Sequence, residues 1–145
     1  MKQSQLECLV DPRSLRPLRL QAVESAGEDI LNGTLCGDGA DRYSIRGGIP
    51  SFVPADVSRT QTVRSFAQKW AKHHYYLDQT RRFYTDWYLQ RYGFFEIEAL
   101  RRFLDGAAFI LDAGTGAGRD AANLAEHSEA AVFAVDTARE ALEIA

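Results

Sequence analysis

The sequence predicts an α/β fold, and three observations predict it. The apolar run Ile110-Leu111-Asp112-Ala113 leads straight into Gly114-Thr115-Gly116-Ala117-Gly118. A helical stretch follows, then a second apolar run, Val132-Phe133-Ala134-Val135, which ends on Asp136. Ahead of both, residues 1–54 alternate short apolar runs with turn residues, the pattern of a small β-rich module. Strand, glycine turn, helix, strand and carboxylate, in that order, make the front half of a nucleotide-type cofactor site. The glycines let the backbone approach a ligand closely. The helix start offers N–H groups to an anionic group of that ligand. A carboxylate about 20 residues on is placed to accept hydrogen bonds from ribose hydroxyls.

The β-rich module spans residues 1–54. Its apolar runs are Leu6 to Val10, Leu15 to Leu20, Ile30 to Cys36, Tyr43 to Ile45 and Ile49 to Val53. Turn signals accompany them at Asp11-Pro12, Ala26-Gly27-Glu28-Asp29, Asn32-Gly33, Gly37-Asp38-Gly39 and Gly47-Gly48, and together they predict hairpins. A core this small supplies little stability without a metal or a docking surface.

Residues 55–106 read as a helical linker or lid. Val63, Phe66 and Trp70 follow i, i+3, i+7 spacing within 55–75. Residues 79–92 stay in helical register, with Phe83–Trp87 and Tyr84–Tyr88 as i, i+4 pairs and Tyr92 extending the second row. Gly93 is the stop. A third helix runs from Glu96 to Leu104, with Ile97, Leu100 and Leu104 on one face and Gly106 closing it. His73 and His74 are adjacent, so a helix points them to different faces and they do not chelate one metal as an i, i+4 pair does.

Composition is globular, with 46% hydrophobic residues and a net charge of −3, so the whole chain is not a general polyanion binder. The sign is uneven. Residues 57–104 hold nine Lys and Arg against four Asp and Glu, a balance of +5; residues 105–145 hold two against eight, a balance of −6. The basic stretch is either a solvated helical face or a surface for an acidic substrate. Interleaved aromatics and basics also fit RNA. There is no secretory apolar region near Met1 and no run long enough to span a bilayer. Two cysteines do not make a disulfide scaffold, and the chain reads as cytoplasmic with reduced thiols.

Spacing separates the cofactors. The dinucleotide fingerprint G-x-G-x-x-G/A, counted from Gly114, puts its third small residue at position 119, which is Arg119. The third glycine comes one place early, at Gly118. The resulting D-x-G-x-G-x-G, from Asp112 to Gly118, resembles the first motif of class I S-adenosylmethionine (SAM)-dependent methyltransferases, of the type 11-like kind. That resemblance implies a Rossmann-like sheet beginning at residue 107, with residues 107–145 as the first part of the SAM-binding domain. It also implies that Gly114, Gly116 and Gly118 lie against the methionine portion of SAM. Asp112 then supports the loop and the ligand's amino group, and Asp136 takes the ribose hydroxyls. The stretch Asp136 to Ala145 resembles that family's second helix, with Ala138 where a serine is common; Thr137 and Glu140 supply a capping box instead. A nicotinamide or flavin site, and a glycine turn that merely joins strand to helix, are the competing readings.

A second resemblance covers residues 1–54. Leu6-Glu7-Cys8-Leu9-Val10-Asp11, Leu35-Cys36-Gly37-Asp38-Gly39 and Tyr43-Ser44-Ile45-Arg46-Gly47-Gly48-Ile49-Pro50 look like a zinc-ribbon module of the tRNA-methyltransferase-activator type. Its usual form has two C-x-x-C knuckles. Here each knuckle keeps one cysteine, with Asp11 and Gly39 at the other positions. Structural zinc takes four ligands, mostly thiolate or imidazole. Cys8, Cys36 and Asp11 make three at most, so the expectation is a ribbon without metal, the alternatives being a weak or distorted site and two buried, small apolar thiols. The segments Ser65 to Trp70 and Trp87 to Phe94 also resemble methyltransferases with this module, in which such helices help form a lid; Trp87, Tyr88, Tyr92 and Phe94 are then either pocket-lining or packing residues.

The function these resemblances imply is methyl transfer from SAM to an unidentified acceptor, a small molecule or RNA. No catalytic acid or base is nameable, because such residues follow the third and fourth strands in that family. The chain stops nine residues after Asp136. The expectation is a piece of a longer protein, inactive alone, or a sheet that another chain completes. The alternative in a different class is a non-catalytic module that docks a partner and keeps a vestigial SAM loop.

Overall fold

A computed structural model describes residues 1–53 and 81–145, with Gln61, Ser65, Gln68 and Lys69 between them. The expected helix pattern of Val63, Phe66 and Trp70, and the pair His73–His74, lie outside the described residues. The chain divides into two compact units, Met1–Pro54 and Ala55–Ala145. Among the described residues it has mixed helix and strand content, with one antiparallel sheet and one small parallel sheet.

The first unit opens with a 3-10 helix, Gln3–Cys8, and continues through β1 (Arg19–Ala26), β2 (Asp29–Cys36), β3 (Arg42–Arg46) and β4 (Ile49–Pro50). The strands pair antiparallel in sequence order. Two glycines make the tightest connection. Gly47 and Gly48 both adopt positive φ, 55° and 78°, which is what a two-residue hairpin of the primed type requires. The core is Leu18, Ile30, Leu35 and Ile45, with Met1, Leu6, Leu9, Leu20, Tyr43 and Phe52 packed against it.

Two expectations for this unit are corrected. The run from Leu6 to Val10 does not form a strand; most of it lies in the 3-10 helix, whose Leu6 packs on the core. A single short apolar run carries no period long enough to separate the two. Asn32-Gly33 is not a turn but lies inside β2, opposite Glu24 and Ile45. The Asn32 side chain explains its tolerance there: Nδ2 donates to Glu24 Oε2 at 2.7 Å, and Oδ1 accepts the Gly47 N–H at 3.2 Å.

The second unit contains α1 (Arg81–Tyr92), α2 (Ile97–Leu104), β5 (Phe109–Ala113), α3 (Arg119–Glu126), β6 (Ala131–Val135) and α4 (Arg139–Leu142). α1 ends on a Schellman turn: Gly93, at φ 77°, donates to Gln90 O, and Phe94 donates to Leu89 O. α2 buries Leu100 and Leu104 and turns at Gly106. β5 and β6 run parallel, from Phe109 opposite Ala131 to Ala113 opposite Val135. Strand alternation sorts their side chains. Ile110 and Val132 pack onto the core of Tyr88, Leu89, Leu100, Leu104 and Leu124. Phe109, Leu111 and Val135 point the other way and are exposed. Among the described residues no helix is long and apolar enough to cross a membrane.

Candidate functional site

The site begins where β5 ends. Gly114 leaves the strand at φ 86°, and its N–H and that of Thr115 both donate to Val135 O at the end of β6, at 2.8 and 3.1 Å. The loop is thereby tied to both strands. Gly116 and Gly118 also hold positive φ, 57° and 76°, conformations that cost an L side chain roughly 1–2 kcal/mol. Gly118 caps α3 and accepts the Ala122 N–H. A Cβ on Gly118 would come within 2.7 Å of the Ala145 Cβ, whereas one on Gly114 would meet nothing. The open side of Gly114 faces a cleft of about 440 Å³ lined by Gly114, Val135, Asp136 and Thr137.

The structure brings all five sequence-predicted cofactor residues to this loop. Asp112 Oδ2 accepts the Thr115 hydroxyl at 2.5 Å, so Asp112 braces the loop from below. Asp136 straps it from the side: Oδ2 accepts the Gly116 N–H at 2.9 Å and Oδ1 the Ala138 N–H at 2.7 Å. The second bond corrects one expectation. Thr137 and Glu140 form no capping box; Ala138 is the N-cap of α4, without a side-chain cap. Asp136 takes the N–H two residues on and sets the turn, an Asx pattern that competes with capping.

One set of contacts beside the loop is not legible in the sequence. Tyr84, on α1, donates its hydroxyl to Asp120 Oδ1 at 2.5 Å, and the Arg119 guanidinium lies 5.1 Å from the Tyr84 ring centre. Thr85 Oγ1 donates to Asn123 Oδ1 at 3.2 Å. These contacts tie α1 to the first turns of α3, directly after the glycine loop. Their partners lie more than thirty residues apart, and no local pattern signals them. Burial, then the Asp120 carboxylate, holds the Tyr84 phenol well above its ordinary pKa. Tyr88 is pushed up to about 12, first by burial and then by the negative charges of Asp120 and Asp112. Of the aromatics placed on a lid, Tyr88 and Phe94 belong to the core, while Trp87 and Tyr92 are partly exposed, with Arg91 stacked over Trp87.

The electrostatic outcome is specific. Three carboxylates surround the loop, Asp112, Asp120 and Asp136. The cation of the first turn, Arg119, is stacked on Tyr84. The loop amide at Gly116 is already bonded to a protein anion. Comparison with protein-family models, with curated proteins and with solved structures finds no match to this chain.

Proposed function

We propose that the second unit is the SAM-binding front of a Rossmann-like, class I SAM-dependent methyltransferase. The observation that carries this reading is the D-x-G-x-G-x-G loop, held by Asp112 through Thr115 and by Asp136 through Gly116. A pyrophosphate needs the loop amides free and the helix start positive. Here an internal carboxylate takes one amide, and Asp120 sits in the first turn of α3, where it offsets the positive end of the helix. Like charges brought together cost several kcal/mol, on the order of what specificity requires. SAM, with an ammonium and a sulfonium against one carboxylate, carries a net positive charge of the opposite sign. The D-x-G-x-G-x-G spacing supports the same choice.

In this reading the glycines admit the ligand to the backbone. Asp112 keeps the loop closed through Thr115 and offers its charge to the ligand's amine. Asp136 lines the cleft and accepts ribose hydroxyls on the lone pairs that Gly116 and Ala138 leave free. When bound, SAM supplies an electrophilic methyl group, and the protein's work is to hold and orient it. The acceptor is a small molecule or RNA.

Calorimetric titration of the complete protein with SAM tests the proposal; residues 1–145 alone are expected to bind it poorly. Saturable binding is expected, weakened by roughly 1–3 kcal/mol in Asp136→Ala through loss of charged hydrogen bonds. Absence of binding by the unmodified protein would remove the assignment.

A further inference from the structure

The resemblance of the first unit to a zinc ribbon implies a metal between the loop that follows Cys8 and the loop that follows Cys36. The side chains do not fit one. Cys8 is exposed, whereas Cys36 is buried and its thiol donates to Gln21 Oε1 at 3.2 Å. Among the described residues no three His, Cys, Asp or Glu side chains are grouped to hold an ion.

What lies between the loops instead is Asp11, completely buried. Its Oδ1 accepts the backbone N–H of Arg13 at 2.8 Å and of Ser14 at 3.1 Å, and the Tyr43 hydroxyl from β3 at 3.4 Å. Its own N–H donates to Arg16 O at 2.8 Å, and its carbonyl accepts the Leu15 N–H. The first loop is thus wound around this one residue. Oδ2 reaches across to the second loop, and it leaves no room for a side chain there: a Cβ on Gly37 would lie 1.8 Å from it. Gly37 in turn donates to Asp41 O at 3.1 Å and closes the second loop.

We propose that Asp11 is the centre on which the first loop of this module is built, a buried carboxylate where the resemblance puts a metal ligand, with Gly37 as the small residue that leaves room for its Oδ2. A buried charge persists only where hydrogen bonds replace its water; Asp11 Oδ1 has two amides and a phenol, while Oδ2 is buried against Gly37 without a hydrogen-bond partner among the described residues. The Arg13 N–H, the largest influence, holds its carboxyl below the usual range, so the anion is the working form. Two ion pairs span the same loops, Arg13–Asp41 at 3.2 Å and Arg16–Asp38 at 3.0 Å. Both arginines are largely exposed, and exposed pairs contribute little.

Coupling between positions 11 and 37 tests this. Gly37 is not at positive φ, so its backbone accepts alanine, and the three atoms nearest to an added Cβ all belong to Asp11. Gly37→Ala is expected to lower the thermal midpoint of the protein by roughly 5–15 °C. The same change on an Asp11→Ala background is expected to cost almost nothing, because the methyl enters vacated space. Equal cost in both backgrounds would overturn the proposal. So would a double variant that fails to fold where Asp11→Ala folds. A second arm needs no variant: chelator and added zinc are expected to leave the midpoint of the unmodified protein unchanged. A stoichiometric zinc that raises it, and is lost in Cys8→Ser, would overturn the proposal whatever the variants do.

Discussion

Replacing Asp136 with alanine removes the acceptor for two backbone N–H groups at once. Gly116 donates to one carboxylate oxygen and Ala138 to the other. Both donor residues are buried, so water substitutes poorly for the lost partner. A hydrogen bond to a charged group contributes about 1.5–3 kcal/mol net. Asp136 is itself partly exposed, which places each bond near the low end. The expected loss is therefore about 3 kcal/mol for the pair. Asp136→Asn separates them. It keeps one oxygen as an acceptor but turns an NH2 group toward the other donor, so about half the loss is expected. Urea unfolding followed by circular dichroism reads both values. A loss under about 0.5 kcal/mol in Asp136→Ala, the range of ordinary surface changes, would refute the strap and leave the loop to its glycines.

Other outcomes follow from the same geometry. Leu100→Ala empties a fully buried site under β5 and β6 and is expected to cost about 2–5 kcal/mol in urea unfolding. Gly116→Ala forces a side chain to φ 57° and is expected to cost roughly 1–2 kcal/mol, read the same way. Gly48→Ala combines φ 78° with a Cβ only 2.9 Å from the Met1 nitrogen, so it should destabilise more than Gly47→Ala, whose Cβ meets nothing. In alkali, Tyr88 ionises near 10 when unfolded but keeps its proton to about 12 when folded, so its contribution is complete below pH 10 and lost as pH rises towards 12. Unfolding measured across that range should show stability falling, and Tyr88→Phe should flatten the fall.

Local signals reached some of this fold and stopped at others. The stops at Gly93 and Gly106 and the buried face of α2 follow from periodicity and from glycine's access to positive φ, both properties of neighbouring residues. The parallel strands and the turn between them follow from two apolar runs with a helical stretch between. The 3-10 helix does not, because six residues hold no resolvable period. Asn32-Gly33 carries a turn signal, yet it is a strand pair whose asparagine bonds sideways to Glu24 and Gly47. The Thr137–Glu140 box looks right in sequence and loses to a carboxylate one residue earlier. At the site, the glycines and both strand-end carboxylates are local features. The Tyr84–Asp120 bond is tertiary, and so is the mutual fit of Asp11 and Gly37, which no spacing announces.

The central claim is that the carboxylates around the glycine loop select a cationic adenosyl ligand over a dinucleotide. Parallel calorimetric titrations of the complete protein with SAM and with NAD, in one buffer at one salt concentration, test it most directly. The account predicts saturable binding of SAM and none of NAD at the same concentrations. Binding of NAD as tight as that of SAM, or tighter, would contradict it.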